Sequence, residues 1–220
     1  MMNFAEDIVL YGAGGAGREL AFALSLGLCW EVKGFVDDTK PAGELVNLLP
    51  VLGGMEWLRE YDGNIAVCVV GDPKVKRGLI ARIKAVCQKS IFPLIIDEQY
   101  LVSSFIEWGE GCIVAQPFNH LTVDMKVGDF VWINSGNLIG HDVVIGEYST
   151  LFSGINVGGG VHIGADCIIG SGAILKPGVK IGDGVTVGSG AVVVKDIPPN
   201  VVVIGNPAKI LEPKGATDVR

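Results

Sequence analysis

The sequence predicts two architectures in succession, an α/β domain with a parallel sheet and then an all-β helix built from stacked parallel coils. Two observations carry this prediction. A glycine-rich turn links an apolar run to a helical pattern near the N-terminus, and an aliphatic residue recurs every six positions in the second half. Apolar residues make up 49% of the 220 positions and charged residues 19%, so the chain can bury a sizeable core.

The first half alternates strand and helix patterns. Residues 8–11 predict a short buried strand, residues 12–17 a glycine turn, and residues 18–24 a helix. A second strand at 32–36 ends in two aspartates, and a third at 65–70 is followed by a helix that reaches about residue 88. Such alternation predicts a parallel sheet covered by helices on both faces.

The glycine turn has the spacing of a nucleotide-binding fingerprint. Glycines at 12, 14 and 17 form G-x-G-x-x-G, and Asp37 follows Gly17 by twenty residues. Amides at the helix start suit a pyrophosphate, and a carboxylate after the second strand suits ribose hydroxyls. Only about 90 residues precede the linker, half of a dinucleotide fold, so a mononucleotide site fits better. The alternative is a turn that merely packs the helix on the strand.

The second half has a six-residue period. Every sixth residue from Val127 to Val193 is Val, Ile or Leu, twelve in all, and glycine follows in eight cases, at 128, 140, 146, 158, 164, 170, 182 and 188. One inward side chain per six residues builds an apolar column, and three six-residue sides make a triangular coil of eighteen. Glycine is expected there because corners often need positive φ values. Leu121 and Trp108 indicate a further coil upstream with a one-residue irregularity.

Charge and cysteine content exclude several classes of protein. A net charge of −7 argues against nucleic-acid binding. No secretion signal or long apolar run is present, so we expect a cytoplasmic protein without membrane insertion. The five dispersed cysteines predict buried small hydrophobes. A metal enzyme on the β-helix would need three convergent histidines, and His120, His141 and His162 are not equivalent in the period.

The second half resembles the hexapeptide-repeat acyltransferases, whose fold is a left-handed parallel β-helix and which are commonly homotrimers with acyl-CoA between subunits. With the Rossmann-like first half, the whole chain resembles the bacterial family of sugar O-acyltransferases and nucleotide-amino-sugar N-acetyltransferases, which includes sialic acid O-acetyltransferase-like and bacillosamine-pathway enzymes. Residues 12–19, 34–38 and 140–146 carry the resemblance. The implied organisation is a nucleotide(-sugar)-binding domain at 1–90, a linker at 91–105, the β-helix at 106–196 and a tail at 197–220.

The resemblance implies roles for individual residues. His141 would be the general base and Asp142 the acid that orients it. Gly159 would supply the amide that meets the acetyl carbonyl. The other positions implied for acetyl-CoA binding are Thr150, Ser171, Ser189 and Lys195. Those implied for the nucleotide-linked acceptor are Gly14, Gly15, Ala16, Asp37, Asp38, Gly71 and Asn134.

Two departures from the family pattern concern the substrate. Thr150 stands where a second histidine is usual, and Ala16 stands where many members have a histidine near the nucleotide. The main interpretation is acetyl transfer to a sugar amine or hydroxyl, without a metal. A non-nucleotide sugar as the acceptor remains open. So do a nicotinamide-dependent oxidoreductase, which lacks a Tyr-x-x-x-Lys pattern here, and a non-catalytic nucleotide-sugar-binding scaffold.

Overall fold

The computed structural model describes residues 6–27, 30–69, 71–96, 105–114 and 118–211. Cys29, Val70 and most of the predicted linker therefore lie outside the described residues. The N-terminal domain contains β1 (Glu6–Tyr11), α1 (Gly15–Ser25), β2 (Trp30–Val36), β3 (Leu45–Val46), β4 (Leu49–Gly53), a 3₁₀ helix (Met55–Glu60), β5 (Asn64–Val67) and α2 (Pro73–Val86).

The N-terminal sheet has the order β3-β4-β2-β1-β5. Strands β4, β2, β1 and β5 run parallel, and β3 is antiparallel to β4. Side chains of β1 alternate between the two faces: Ile8 and Leu10 pack with α1, whereas Val9 and Tyr11 pack with α2. The parallel sheet with a helix on each face is confirmed.

The described strands that follow α2 form a β-helix with three faces, named here A, B and C. Face A contains β7 (Ile106–Trp108), β10 (Met125–Val127), β13 (Val144–Ile145), β16 (His162–Ile163) and β19 (Lys180–Ile181). Face B contains β6 (Ile95–Ile96), β8 (Ile113–Val114), β11 (Trp132–Ile133), β14 (Thr150–Leu151), β17 (Ile168–Ile169), β20 (Thr186–Val187), β22 (Val202–Ile204) and β23 (Lys209–Ile210). Face C contains β9 (His120–Leu121), β12 (Leu138–Ile139), β15 (Asn156–Val157), β18 (Ile174–Leu175) and β21 (Val192–Val193). The predicted class, an α/β domain followed by a left-handed parallel β-helix, is confirmed.

Strand register fixes the length of a coil. Val144 pairs with His162, and His162 pairs with Lys180, so each coil takes 18 residues. The first coil is longer, because Trp132 pairs with Ile113, 19 positions earlier, while Leu138 pairs with His120, 18 earlier. The extra residue therefore lies between Ile113 and His120.

The β-helix sheets extend beyond the residues predicted for that domain. Ile95 and Ile96, at the start of the predicted linker, pair with Ile113 and Val114 on face B. At the other end, β22 pairs with β20 inside the predicted tail. The division into four segments stays a prediction. These strand pairs would move both boundaries of the predicted β-helix domain outward.

The six-residue period is confirmed. All twelve aliphatic positions from Val127 to Val193 are buried, none more than 5% exposed. A second inward column, two residues before the first, was not identified from sequence because its members vary in type. Most are apolar, but Asn137 and Ser149 also belong to it. Asn137 is satisfied because its side chain donates to the Asn134 carbonyl (2.6 Å) and accepts from the Ile155 amide (2.8 Å).

The explanation for the eight recurring glycines was wrong. Positive φ values do recur every six residues from Phe118 to Gly190, but three positions after the inward residue, and Asp142 is among them. The glycines directly after inward residues are needed for close approach instead. A Cβ on Gly146 would lie 2.4 Å from the Ala165 amide nitrogen of the next coil.

These two kinds of glycine should respond differently to substitution. Gly146→Ala should lower the free energy of unfolding by about 2 kcal/mol or more, because the coils must separate to admit a methyl group. Gly154→Asn should cost less than about 1 kcal/mol, because Gly154 has φ of 72° with open space around it and Asn tolerates that conformation. Urea unfolding of both variants measures the contrast; equal losses would contradict it.

Candidate functional site

His141 and Asp142 occupy the corner between faces C and A, named corner CA, which recurs at residues 140–142, 158–160 and 176–178. His141 Nδ1 lies 2.6 Å from Asp142 Oδ2, and both side chains are about two-thirds exposed, at 67% and 63%. Asp142 has a φ of 57°, a conformation that aspartate tolerates better than most residues. An Nδ1–H bonded to the carboxylate leaves Nε2 as a proton acceptor.

Gly159 lies one coil beyond His141 in the same corner. A Cβ on Gly159 would meet His141 Nε2 at 2.6 Å, so the imidazole rests on the glycine backbone. The neighbouring Gly160 amide donates to the His141 carbonyl at 2.8 Å and ties the two coils together. Within the described residues the Gly159 N–H donates to no acceptor. A free backbone donor therefore accompanies the free ring nitrogen.

Asn134, Ser171 and Ser189 lie on a different edge, the corner between faces B and C, named corner BC. The N–H groups of Ser171 and Ser189 have no acceptor in the described part of the chain, which leaves them available to a ligand. The Asn134 side-chain oxygen accepts from the Ser135 amide at 2.9 Å. Face C separates all three from His141, so a single chain does not bring them together with the base.

Thr150 and Lys195 have contrasting surroundings. Thr150 is fully buried on face B, and its hydroxyl accepts from Lys76 Nζ at 3.3 Å beneath the N-terminal domain. In this chain that hydroxyl is closed to acetyl-CoA, which argues against the role implied for it. Lys195 is exposed at corner CA, three coils beyond His141.

The glycines of the N-terminal turn fall into two groups. Gly12 has a φ of 105°, and a Cβ on Gly17 would lie 1.9 Å from the Gly12 carbonyl oxygen, so the fold itself requires these two. Gly14, Gly15 and Gly71 have no atom within 4 Å of a built Cβ, and none has a left-handed φ. Among the described residues, neither a close neighbour nor a left-handed φ requires glycine at these three positions, whereas the close approach of a ligand would favour it.

The start of α1 is open to an anion. Gly14 is the N-cap and offers no side-chain hydrogen bond, and the first turn, which includes Ala16, contains no acidic residue. The first amides of a helix lack intrahelical partners and lie at the positive end of its dipole. In the described part of the chain, the N–H groups of Gly14, Gly15 and Ala16 have no acceptor at this edge of the sheet.

Asp37 and Asp38 support the same turn. Asp37 Oδ2 accepts from the Ala13 amide at 2.8 Å, and its Oδ1 accepts from the Thr39 amide and hydroxyl. Asp38 accepts from the Met55 amide at 2.7 Å and from the Tyr11 hydroxyl at 2.8 Å. The bond from Met55, against some desolvation, helps to hold the pKa of Asp38 below its usual value.

Tyr11 has a role that sequence reasoning missed. Its ring belongs to the core beside α2, and its hydroxyl positions Asp38. Burial and the neighbouring carboxylate both raise the pKa of the Tyr11 phenol, so it stays a donor. No sequence signal points to this role, because a tyrosine at the end of a buried strand is expected to belong to the core.

The N-terminal domain sits on face B through α2. Lys76 is buried and donates to the Phe130 carbonyl at 2.9 Å as well as to Thr150, and burial lowers its pKa to about 7. Arg77 bridges Glu147 (3.1 Å) and Asp166 (2.9 Å). Apolar contacts of Trp132 and Ile113 with the α1 core complete the interface. The first coils of face B are thus covered, and corner CA lies on the opposite side of the β-helix.

Further observations concern other places where a ligand, a metal ion or a membrane could interact with the chain. A cavity of about 400 Å³ between α1 and the β3–β4 hairpin contains none of the predicted site residues. The four cysteines within the described ranges are free and buried, as expected. In the same ranges, no group of His, Cys, Asp and Glu side chains could hold a metal ion, and neither helix is long and apolar enough to span a bilayer.

Comparisons with known proteins agree with the two-part fold. Residues 7–83 match the PglD N-terminal domain model, residues 136–165 match the hexapeptide repeat of succinyl-transferase, and residues 160–195 match the bacterial transferase hexapeptide. No curated protein matches the chain.

Solved structures resemble the chain over nearly its full length. A variant of perosamine N-acetyltransferase from Caulobacter crescentus, in complex with CoA and GDP-perosamine, is 30% identical with a TM-score of 0.83, covering 94% of this chain and 97% of that one. The acetyltransferase domain of PglB from Neisseria gonorrhoeae is 28% identical with a TM-score of 0.79, covering 94% and 100%. WeeI from Acinetobacter baumannii is 31% identical with a TM-score of 0.74, covering 93% and 99%.

Fold and comparisons together define an acyltransferase of the hexapeptide-repeat type. More narrowly, the chain belongs to the hexapeptide-repeat sugar acetyltransferase family, as the sequence resemblance had indicated.

Lys76 should make stability depend on pH. Its folded pKa of about 7 lies below the usual lysine pKa of 10.5, so between these values the unfolded chain binds a proton that the folded chain does not. The free energy of unfolding should therefore rise with pH from 7 to 10.5, by at most about 1.4 kcal/mol per pH unit from this residue. Urea unfolding across that range should show a shallower slope for Lys76→Met than for the wild type. Identical slopes would contradict the prediction.

Proposed function

We propose that this enzyme transfers the acetyl group of acetyl-CoA to the amine of a nucleotide-linked sugar, with His141 as the general base. The observation that carries the proposal is the free Nε2 of His141 beside the free N–H of Gly159, with Asp142 bonded to Nδ1. The amine is preferred to a hydroxyl because a structural neighbour is an N-acetyltransferase holding CoA and GDP-perosamine.

These groups suffice for direct transfer. The acceptor amine attacks the thioester carbonyl carbon while His141 Nε2 takes its proton. The negative charge that develops on the carbonyl oxygen accepts a hydrogen bond from the Gly159 N–H. The tetrahedral intermediate then breaks its C–S bond, and the proton on His141 passes to the departing thiolate. Asp142 holds the imidazole in the required tautomer and stabilises its cation.

The acceptor's nucleotide would bind at the glycine turn of the N-terminal domain. The diphosphate would approach the α1 amides at Gly14, Gly15 and Ala16, with Gly71 on the neighbouring loop. Asp37 and Asp38, which border this turn, would face the ribose. Support comes from the three glycines that packing does not explain.

A complete site requires a neighbouring subunit. The N-terminal domain covers the first coils of face B, whereas His141 lies at the corner opposite that face. A homotrimer with face C towards the threefold axis would place corner CA of one subunit beside corner BC of the next. Face C suits that position because Leu138 and Ile174 expose 51% and 45% of their surface. Acetyl-CoA would then lie between His141, Gly159 and Lys195 of one subunit and Ser171 and Ser189 of its neighbour.

Thiol release from acetyl-CoA tests the reaction and the base. With a panel of nucleotide-linked amino sugars and plain sugars, we expect release with an amino-sugar nucleotide and a loss of about 10³-fold or more in kcat for His141→Ala. Asp142→Asn should lower kcat less, because the base is retained. Unaltered CoA binding by both variants is the control. An active His141→Ala variant would refute the assignment.

The glycine turn can be tested by opposite effects on stability and binding. Gly15→Ala should raise the free energy of unfolding by about 0.5–1 kcal/mol, since alanine favours a helix, and should weaken binding of a nucleoside diphosphate. Gly17→Ala should destabilise the fold because its Cβ would strike the Gly12 carbonyl. Titration calorimetry and urea unfolding measure both effects. Unchanged nucleotide affinity in Gly15→Ala and in the bulkier Gly15→Phe would remove the site from this turn.

Mixed oligomers then test the shared site. His141→Ala chains and Gly15→Phe chains, each inactive alone, should regain about a quarter of wild-type activity after mixing, if base and nucleotide domain come from different subunits and chains assort randomly. No recovery in verified mixed oligomers would place both groups in one subunit.

A further inference from the structure

The cavity between α1 and the β3–β4 hairpin lies outside the proposed active site. Its volume of about 400 Å³ is within the range of small-molecule sites in proteins. Ser25, the last residue of α1, lines it together with Trp30 and Leu49, the first residues of β2 and β4. The cavity therefore reaches the edge of the sheet at which the parallel strands begin. The glycine turn follows β1 and lies at the opposite edge, so the two places are separate.

The lining of the cavity is mostly apolar and contains two aromatic rings. Ala21 and Phe22 belong to α1, Trp30 and Val32 to β2, and Leu49 to β4. Phe22 exposes 64% of its surface, although it borders a concave site. A ligand that filled the cavity would bury this ring, which is favourable. Aromatic rings at the wall favour a flat apolar ligand body, because offset stacking adds to the burial of area.

The tip of the β3–β4 hairpin carries a leucine in an unfavourable conformation. Val46 pairs with Leu49, and the two residues between them, Asn47 and Leu48, have φ values of 47° and 69°. Two-residue hairpin turns require this left-handed conformation, which glycine and asparagine tolerate and leucine does not. Leu48 is also 90% exposed, so it contributes little to packing. Because Asn47 and Leu49 both line the cavity, Leu48 stands at its mouth, where it can contact a ligand.

Arg18 gives the cavity a positive charge that no acid neutralises. Its Nε donates to the Gly14 carbonyl at 3.4 Å, and among the described residues its two terminal nitrogens have no acceptor and no acidic partner. The other charged residue of the lining, Glu31, is paired with Lys33 at 2.7 Å. An arginine presents its donors as a planar fork, which matches the two oxygens of a carboxylate.

We propose that this cavity is a second ligand site, which binds a small anion with a flat apolar body, such as an aromatic carboxylate. The body lies against Phe22 and Trp30, and the carboxylate accepts hydrogen bonds from Arg18. Charge complementarity selects an anion, and the aromatic lining selects its body. The site is independent of the proposed acetyl transfer and uses none of the residues assigned to it.

Calorimetric titration with three probes tests the ligand class. The probes are 2-naphthoate, its neutral analogue 2-naphthylmethanol, and acetate, which has the charge without the apolar body. The wild type should bind 2-naphthoate about tenfold more tightly than 2-naphthylmethanol and should not bind acetate at the same concentrations. Arg18→Gln should weaken 2-naphthoate about tenfold and leave 2-naphthylmethanol unchanged. The matched control Arg59→Gln, an exposed arginine of the same domain, should bind all three like the wild type.

A variant that fills the cavity tests its location. Ser25 is exposed at the end of α1, so Ser25→Trp adds a large ring to the lining without disturbing the core. This variant should unfold in urea like the wild type, keep the wild-type sedimentation coefficient and lose binding of both naphthalene compounds.

Four results would overturn the proposal. A wild type that binds neither naphthalene compound would exclude the ligand class, and equal affinity for the two would remove the role of Arg18. Unchanged binding by Ser25→Trp would place the ligand elsewhere. A smaller oligomer in Ser25→Trp than in the wild type would identify the cavity as a contact between copies of the chain. None of these results bears on acetyl transfer, which the thiol-release assay tests separately.

Discussion

Backbone contact between successive coils is the constraint on which the other features of this protein depend. The glycines after the inward residues let each coil approach the next until a Cβ would strike a backbone atom, as at Gly140 and Gly159 or Gly146 and Ala165. This approach keeps the coils at 18 residues, so residues 18 apart stand above one another. His141 contacts Gly159 because the two residues are 18 positions apart. The stacking of the coils is enough to place them together, without a loop.

The six-residue period could be predicted because burial selects aliphatic residues at the same position of every repeat. Val127 to Val193 are aliphatic without exception, whereas the second inward column contains Asn137 and Ser149, which local hydrogen bonds satisfy, and so escaped notice. The glycines were identified correctly and explained incorrectly, because their reason is contact with the next coil, which appears only once the coils are stacked. His141 and Asp142 could be found from local sequence because they are adjacent in the chain.

Features that depend on how the domains pack could not be predicted. The six-residue period predicts that the side chain of Thr150 points out of the β-helix. It contains no information that α2 covers this part of face B. Lys76 lies in a helix with several other basic residues, and nothing in that helix marks it as the one buried against Phe130 and Thr150. The division of the site residues between two corners likewise follows from their positions within the 18-residue coil, which family resemblance alone does not reveal.

The N-terminal domain and His141 lie at similar positions along the β-helix axis. The N-terminal domain contacts Ile113, Trp132 and Thr150, which belong to the first three coils, and His141 belongs to the second of these. In the proposed trimer, rotation about a threefold axis parallel to the β-helix would preserve height, so a neighbouring subunit's N-terminal domain would stand level with this histidine. A coenzyme that extended from Gly159 towards the later coils would leave the other side of His141, which faces the earlier coils, to the acceptor. That side is at the height where the N-terminal domain is attached.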